Sequence, residues 1–234
     1  MLNQLISQIK KAQNGSFFTI GLTGSVAVGK STLAERLAVG LRESGLKVEV
    51  LSTDAFLKDN ATLHEEGIFD EKGFPKSYDL TALEEFIRFF QDGKDDQKVA
   101  VYSQTLADIV PSEKKRVKRP DVLILEGVVA LQLPEDLLNS TIFLEADMAH
   151  VKDWYLERNL LATVKSANHP DSWRAQYAKL PLIDFYNLAM SIWEKTNQKN
   201  YDDYIYPSQQ SADWIVALDY YHQITEIKVG PRQA

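Results

Sequence analysis

Short apolar runs alternate with segments of helical periodicity along this 234-residue chain. The apolar, β-prone runs occupy residues 17–22, 46–51, 122–125, 141–144, 214–218 and 224–229. The run at 122–125 is continuously apolar, which is typical of a strand buried on both faces. Helical spacing follows the first run over residues 32–44 and recurs over 81–90, where Thr81 is a candidate N-cap. Strands that alternate with helices predict an α/β fold in three layers, with a mainly parallel central sheet between helices.

Two further segments carry helical patterns outside this alternation. The N-terminal segment has an apolar stripe at helical spacing, formed by Leu2, Leu5, Ile6 and Ile9. The stripe predicts an amphipathic helix packed on the domain, or alternatively one lying on a membrane surface. A second segment, about 148–200, is mostly helical and rich in aromatic residues. Because no stretch rich in Gly, Pro or Ser divides the chain, we predict a single domain over residues 1–234 with this segment as a helical lid and acceptor-binding elaboration.

Composition narrows the classes of function. The formal net charge is −7, whereas general nucleic-acid binding requires a basic face. The chain has no cysteine, which excludes disulfides, thiolate catalysis and cysteine-ligated metals. No run reaches the roughly 20 apolar residues of a membrane-spanning helix, so we expect a cytoplasmic protein without nucleic-acid or membrane partners. The basic cluster at 114–119 is interpreted as a solvated turn before the strand at 122, or alternatively as a loop that attracts anions.

A phosphate-binding motif follows the first predicted strand. Gly24-x-x-x-x-Gly29-Lys30-Ser31 lies between an apolar run and a helical pattern, which is the context that the motif requires. Its glycines let backbone N–H groups approach phosphate oxygens, and the N-terminus of the next helix adds a favourable dipole. Lys30 is expected to reach the β- and γ-phosphates, and the Ser31 hydroxyl to ligate Mg²⁺. The candidate nucleotide-binding residues are Gly24, Ser25, Val26, Ala27, Val28, Gly29, Lys30, Ser31 and Thr32.

This loop predicts a P-loop NTPase-type fold that binds a nucleoside triphosphate, but it does not identify the reaction. A GTPase carries an Asn-Lys-x-Asp motif that reads guanine, and the sequence contains none. The chain is also too short for most motor proteins. These exclusions favour an ATP-dependent kinase that acts on a small molecule.

Two carboxylates stand where predicted strands end, at the edge where ligands bind in open α/β sheets. Asp54 follows the run at 46–51, and Glu126 follows the run at 122–125. Phosphoryl transfer needs Mg²⁺ beside the β- and γ-phosphates and a group that accepts or orients the proton of the acceptor hydroxyl. Either carboxylate fits either role. The structural alternatives are a turn cap for Asp54 and an ion pair for Glu126.

Arg158 belongs to a helical face that is otherwise apolar and aromatic. Val151, Trp154, Tyr155 and Arg158 occupy positions i, i+3, i+4 and i+7. An arginine there can stabilise negative charge on a transferring phosphoryl group. Taken alone, the pattern more often indicates an arginine whose stem covers a packed aromatic stripe.

Several further stretches occur in a particular order along residues 17–229. Beyond the phosphate loop they are Ser-Thr-Asp-Ala-Phe-Leu at 52–57, Lys-Gly-Phe-Pro-Lys-Ser-Tyr-Asp at 72–79, Val-Tyr-Ser at 101–103, Asp-Ile-Val-Pro at 108–111, Pro-Asp-Val-Leu-Ile-Leu-Glu-Gly at 120–127, Trp-Tyr at 154–155 with Arg158, and Tyr-Ala-Lys-Leu at 177–180. Together they resemble the type I pantothenate kinases, within the phosphoribulokinase and uridine kinase group of P-loop kinases. The stretches at 72–79 and 101–103 are the most particular to that family.

The resemblance implies ATP-dependent phosphorylation of the primary hydroxyl of pantothenate, giving 4′-phosphopantothenate at the entry to coenzyme A synthesis. It implies that ATP and Mg²⁺ are required and that the protein is a homodimer. Asp54 matches the family's catalytic base, and Arg158 matches the arginine that stabilises the transferred phosphoryl group. Ser31 and Glu126 match the magnesium-side hydroxyl and carboxylate. The positions that line the pantothenate pocket in the family correspond here to Tyr102, Tyr155, Tyr177 and Asn200. His222 matches a histidine near the adenine.

The chain departs from the family pattern at several places. Gln104 stands where the family has a histidine, and Asn159 and Ala162 replace aromatic residues after Arg158. The family arginine just after the phosphate loop falls on Glu35. Because those positions contact coenzyme A in the family, we predict weakened feedback inhibition by coenzyme A.

The departures leave two alternatives to pantothenate phosphorylation. One is a kinase of the same group that acts on a different hydroxyl, such as that of a nucleoside or a sugar. The other is a nucleotide-binding regulatory protein without turnover. The retained Lys30, Asp54, Glu126 and Arg158 argue against the second, because these residues supply the parts that phosphoryl transfer needs.

Overall fold

A six-stranded sheet forms the centre of the protein in the computed structural model, which describes residues 1–233. In chain order, the strands are β1 (Phe18–Gly24), β2 (Val48–Ser52), β3 (Asp96–Ser103), β4 (Asp108–Lys118), β5 (Val122–Glu126), β6 (Ser140–Ala146), β7 (Trp214–Leu218) and β8 (Ile224–Val229). The central sheet has the order β2-β5-β1-β6-β7-β8, and only the β7–β8 pair is antiparallel. The predicted mainly parallel sheet is therefore confirmed, and β7 and β8 have the predicted bounds.

Residues 1–233 contain six α-helices: α1 (Leu2–Ala12), α2 (Lys30–Arg42), α3 (Asn60–Glu65), α4 (Leu80–Gln91), α5 (Met148–Ser166) and α6 (Leu182–Ile192). Leu5 and Ile9 of α1 are buried in the core that also holds α2, so the N-terminal stripe packs on the domain. The cap predicted for α4 is wrong. Asp79, not Thr81, caps the helix, because its side chain accepts a hydrogen bond of 2.9 Å from the Ala82 amide.

The sheet separates two hydrophobic cores, which gives the three predicted layers. One core packs α1, α2, α5 and α6 on one face, and the other packs α4 and the β3–β4 hairpin on the opposite face. Alternate residues of β5 enter different cores: Val122 and Ile124 face the first, and Leu123 and Leu125 face the second. This two-sided burial explains why the β5 run is continuously apolar.

The basic cluster at 114–119 is not a turn, as the sequence analysis suggested, but mostly the second half of β4. Strands β3 and β4 pair antiparallel as a separate two-stranded sheet. Most of this half of β4 is exposed, and only Val117 is buried in it. The three lysines and Arg116 therefore lie on a solvated strand, where Arg116 pairs with Asp96 across the hairpin, whereas Arg119 follows the strand and donates to the Phe90 carbonyl oxygen at 2.8 Å. A strand with so little burial lacks the apolar alternation that would have revealed it.

The region at 148–200 is helical, as predicted. It contains α5, a 3₁₀ turn at Ala175–Tyr177, α6 and a π-helical turn at Trp193–Gln198, after which a second π-helical turn follows at Tyr201–Ile205. Its buried aromatic residues Trp154, Tyr155, Phe185 and Trp193 join the first core. This packing anchors the region beside the carboxyl ends of the strands. Among residues 1–233, no helix has both the length and the apolar character needed to cross a membrane.

Candidate active site

The strand order brings the predicted site residues to one edge of the sheet. Neighbouring strands β2, β5 and β1 end, respectively, in the turn that carries Asp54, at Glu126, and in the phosphate loop. The sheet order reverses beside β1, since β2 and β5 lie on one side and β6 on the other. A crevice outside the carboxyl ends at such a reversal is where open α/β folds bind ligands.

The phosphate loop has the backbone geometry that its glycines predict. Gly24 has φ +150°, and a β-carbon on it would lie 2.3 Å from the carbonyl oxygen of Leu144. The loop then leads into α2, which begins at Lys30. The Lys30 ammonium folds back over the loop and donates to the carbonyl oxygens of Gly24 and Ser25 at 3.1 and 2.9 Å. Lys30 therefore already lies at the mouth of the phosphate cradle.

The charge state of Lys30 depends on its partly buried position. Burial lowers the pKa of Lys30 to about 8, while the nearby Glu126 and Asp54 carboxylates act to raise it. Arg158 adds to the lowering because it places a second positive charge nearby. Two cations held close together favour binding of a polyanion, which neutralises both.

Ser31 and Glu126 form an oxygen pair beside the loop. The Ser31 hydroxyl donates to Glu126 Oε1 at 3.0 Å, and burial raises the pKa of the Glu126 carboxyl against the opposing charge of Lys30. Within residues 1–233, no group of three or more His, Asp or Glu side chains is placed to hold a metal by itself. One hydroxyl and one carboxylate fit Mg²⁺, which keeps several waters and takes its remaining ligands from substrate phosphates.

A close contact holds the Asp54 turn against the end of β5. Gly127 has φ +156°, and a β-carbon on it would lie 1.8 Å from the Thr53 hydroxyl oxygen. Only glycine allows this approach. The contact sets the backbone next to Asp54 against the backbone next to Glu126. The two carboxylates are near enough that the charge of Asp54 raises the pKa of Glu126.

Asp54 receives a hydrogen bond that the sequence analysis did not anticipate. The Tyr78 hydroxyl donates to Asp54 Oδ1 at 3.3 Å. Burial raises the pKa of the Asp54 carboxyl, although Lys30 and the Tyr78 hydroxyl act in the opposite direction. A carboxylate whose pKa is raised within a cleft of cations is a good candidate for a general base.

Backbone hydrogen bonds explain how Tyr78 reaches Asp54. The segments 56–58 and 77–79 run side by side, with Lys58 donating to the Ser77 carbonyl at 2.9 Å and Asp79 donating to the Phe56 carbonyl at 2.8 Å. Tyr78 lies in the stretch at 72–79 that carries the family resemblance. That stretch could have marked it as a site residue, but not its contact with Asp54.

Arg158 lies across a cleft from the phosphate loop. The cleft has a volume of about 570 Å³ and is lined by Ala27, Gly29, Lys30, Ser31, Thr32, Trp154, Glu157, Arg158, Leu161 and His222. Trp154 and Tyr155 are buried one turn before Arg158, whereas Arg158 itself is exposed to the cleft. The aromatic stripe thus anchors α5, and Arg158 extends beyond it to the side where phosphates would lie.

His222 lies in the turn between β7 and β8, at the same cleft. Its ring stacks on that of Trp154, with centroids 3.8 Å apart and an angle of 28° between the planes. The Trp154 indole N–H donates to the Tyr220 carbonyl oxygen at 3.1 Å, which fixes the stack. The pair offers a flat aromatic surface beside Gly29, of the kind on which a nucleotide base can stack.

The predicted acceptor residues have different environments. Tyr102, at the end of β3, is half-buried, and the Lys72 ammonium lies 5.3 Å from its ring centroid. Tyr155 is buried against Trp193, with ring centroids 5.1 Å apart. Tyr177 is half-buried in its 3₁₀ turn.

Asn200 is buried, and its side-chain amide donates to the Gly73 carbonyl oxygen at 2.7 Å. This contact ties the helical region to the stretch at 72–79 and is structural. Asn197, one turn earlier, lies close enough to Tyr155 to oppose the rise that burial causes in the pKa of that phenol. Asn197 is not among the residues predicted from the sequence. It lies three positions before Asn200 in the same helical stretch, and the periodicity does not show which of the two faces Tyr155.

Comparison with known proteins shows which family and which solved structures this chain resembles. A sequence model of the phosphoribulokinase / uridine kinase family matches residues 19–160. A pantothenate kinase of Enterococcus faecalis is 38% identical over 219 residues, which cover 90% of this chain and 71% of that protein. A pantothenate kinase of Streptococcus pneumoniae serotype 4 is 37% identical over the same shares. In structure, a putative fructose transport system kinase from Silicibacter matches with a TM-score of 0.69 at 19% identity, covering 86% of this chain and 92% of that one.

Proposed function

Because this chain belongs to the phosphoribulokinase / uridine kinase family, we propose that it transfers the γ-phosphoryl group of ATP to the primary hydroxyl of pantothenate. The product is 4′-phosphopantothenate. The observation that carries the proposal is the identity of 37–38% with two pantothenate kinases over nine tenths of the chain. The phosphate loop, the two carboxylates and Arg158, gathered at one sheet edge, supply matching chemistry.

On the donor side, the backbone amides of the phosphate loop bind the phosphate oxygens, and Lys30 moves from the loop carbonyls to the β- and γ-phosphates. Ser31 and Glu126 would provide oxygen ligands for Mg²⁺, and the bound ion would neutralise charge on the phosphates. The Trp154–His222 stack packs against the adenine. These residues hold the donor in line with the acceptor, and such positioning supplies much of the rate acceleration in phosphoryl transfer.

On the acceptor side, Asp54 accepts the proton of the primary hydroxyl as the hydroxyl oxygen attacks the γ-phosphorus, and the bond from the γ-phosphorus to the β,γ-bridging oxygen breaks to release ADP. The Tyr78 hydroxyl orients the Asp54 carboxylate for this step. Arg158 faces the phosphate loop across the cleft and stabilises the negative charge that spreads over the transferring group. Tyr102, Tyr155 and Tyr177 line the acceptor pocket.

The proposal includes a single kinase domain over residues 1–234, a homodimeric assembly and a cytoplasmic location. Its support is the resemblance to the type I pantothenate kinases. Light scattering coupled to size-exclusion chromatography tests the assembly, since a mass of one chain at micromolar concentration would contradict a homodimer.

An acceptor panel tests the activity. The purified protein is incubated with ATP, Mg²⁺ and either pantothenate, uridine or simple sugars, and ADP release is measured. We expect ADP release with pantothenate as the acceptor and none with uridine or the sugars. Turnover with a nucleoside or a sugar but not with pantothenate would show that the acceptor is not pantothenate. Gln104, Asn159 and Ala162 make this outcome worth testing, because they depart from the family pattern.

A further inference from the structure

A second arginine, Arg174, lies near the acceptor side of the site and has no part in the chemistry described so far. It lies between α5 and α6, just before the 3₁₀ turn at Ala175–Tyr177, and is half-buried. Its guanidinium donates to Asn159 Oδ1 at 3.1 Å and lies over the Trp173 ring, 4.2 Å from the centroid. The Asn159 amide is itself fixed, since it donates to the Tyr155 carbonyl oxygen at 2.8 Å. Arg174 is therefore held in place from two sides.

The guanidinium of Arg174 has no acidic partner. Within residues 1–233, no carboxylate lies within 4 Å of it. Burial lowers the pKa of Arg174, and the nearby positive charge of Arg158 lowers it further. Withdrawing a cation from water beside another cation is unfavourable unless an anion binds there. Only one of the five N–H groups of the guanidinium is engaged by a side chain, so the others are available to a ligand.

The contacts around Arg174 place it on the acceptor side. Trp173, on which it stacks, donates from its indole N–H to the Gln104 carbonyl oxygen at 3.4 Å. Trp173 also packs edge-to-face on Tyr177, with centroids 5.9 Å apart. Burial raises the pKa of the Tyr102 phenol to about 12, and Arg174 is close enough for its charge to act in the opposite direction. Gln104 and Tyr102 lie at the end of the β3–β4 hairpin, so Arg174 lies where the hairpin meets the helical region.

We propose that Arg174 binds the carboxylate of the acceptor and makes this kinase selective for hydroxy acids over neutral alcohols. The inference rests on the proposed function, because pantothenate carries a carboxylate as well as the hydroxyl that is phosphorylated. A fixed, planar guanidinium matches a carboxylate with two parallel hydrogen bonds. The donor phosphates already have the loop, Lys30 and Arg158, which leaves Arg174 for the acceptor.

A substrate pair tests the proposal: pantothenate and pantothenol, in which a neutral alcohol replaces the carboxylate. The wild-type protein is expected to prefer pantothenate by at least about tenfold in kcat/KM. Arg174→Gln should lower kcat/KM for pantothenate by about 10- to 100-fold, mainly through KM, and change that for pantothenol by less than about threefold. KM for ATP should not change. Arg174→Lys, which keeps the charge but loses the planar fork, should recover part of the loss.

Lys165→Gln is the matched control, because it removes one positive charge from the exposed end of α5 and should leave both substrates unaffected. An equal loss on both substrates, or a raised KM for ATP, would show that Arg174 does not bind the carboxylate. Equal use of the two substrates by the wild-type protein would overturn the proposal even if Arg174→Gln failed to fold. Absence of turnover with either substrate would instead refute the proposed function.

Discussion

Replacement of Asp54 by asparagine tests the chemistry of the site most sharply. The substitution preserves the shape of the side chain and an oxygen that can accept from the Tyr78 hydroxyl, but it removes the ability to take a proton. We expect kcat to fall while binding of ATP, measured by calorimetry, remains within about threefold of the wild-type value. The phosphate loop explains the second expectation, because its contacts to phosphate do not involve Asp54.

The size of the loss follows from what else in the cleft could act as a base. A positioned general base contributes about 10²- to 10⁴-fold, or about 3–5 kcal/mol of barrier. The nearest other carboxylate, Glu126, is engaged by the Ser31 hydroxyl at 3.0 Å on the phosphate side. Because Glu126 is poorly placed to substitute, we expect a loss of at least about 10²-fold in kcat for Asp54→Asn.

The assay is ADP release across pH 5 to 9 at saturating ATP, with pantothenate varied so that both kcat and kcat/KM are obtained. Burial raises the pKa of Asp54, so the wild-type kcat/KM should fall on the acid side at a higher pH than an ordinary aspartate would cause, and this limb should disappear in Asp54→Asn. A carboxyl whose pKa is raised in the folded state stabilises the fold only at low pH and costs stability once it ionises. Asp54→Asn should therefore raise the unfolding temperature at neutral pH. A loss of less than about fivefold in kcat, with the acid limb retained, would refute the role of Asp54 as base.

Three further predictions address the nucleotide, the metal and regulation. Ser31→Ala removes a hydroxyl that pairs with Glu126 and should raise the Mg²⁺ concentration needed for half-maximal rate by about tenfold or more, measured by magnesium titration at fixed ATP; an unchanged titration would remove Ser31 from the metal site. His222→Ala removes the ring stacked on Trp154 and should raise KM for ATP by about 2- to 10-fold with KM for pantothenate unchanged; the reverse pattern would place His222 at the acceptor. Coenzyme A should inhibit only weakly when titrated against ATP, because Asn159, engaged by Arg174, replaces an aromatic residue of the family; strong inhibition competitive with ATP would contradict this.

The central sheet could be predicted from the sequence because its signals are local. Residues 122–125 of strand β5 are all apolar because both faces of the strand are buried. The glycines of the phosphate loop indicate a backbone geometry that other residues rarely adopt. The carboxylates at the strand ends could be placed together from the rule that parallel strands share one carboxyl edge. These inferences need only the neighbouring residues and the fold class.

Other features depend on contacts between distant segments. The hydrogen bond from Tyr78 to Asp54 requires segments 56–58 and 77–79 to lie side by side, and no periodicity in the sequence predicts this alignment. The basic part of β4 is a strand with hardly any burial, so it reads as a solvated turn. Asn197 lies on a π-helical turn and Asn200 just beyond it, and the two side chains differ in the direction that each faces. In each case, the information lies in tertiary packing.

Pantothenate phosphorylation can be tested by identifying the product of the reaction. Pantothenate is incubated with the protein, ATP and Mg²⁺, and the product is analysed by mass spectrometry and by phosphorus–proton correlation in nuclear magnetic resonance. We expect a monophosphate ester whose phosphorus couples to the methylene protons of the primary alcohol, formed in an amount equal to that of ADP. ADP release without phosphorylated pantothenate, or a phosphate on the secondary hydroxyl, would contradict the proposed function.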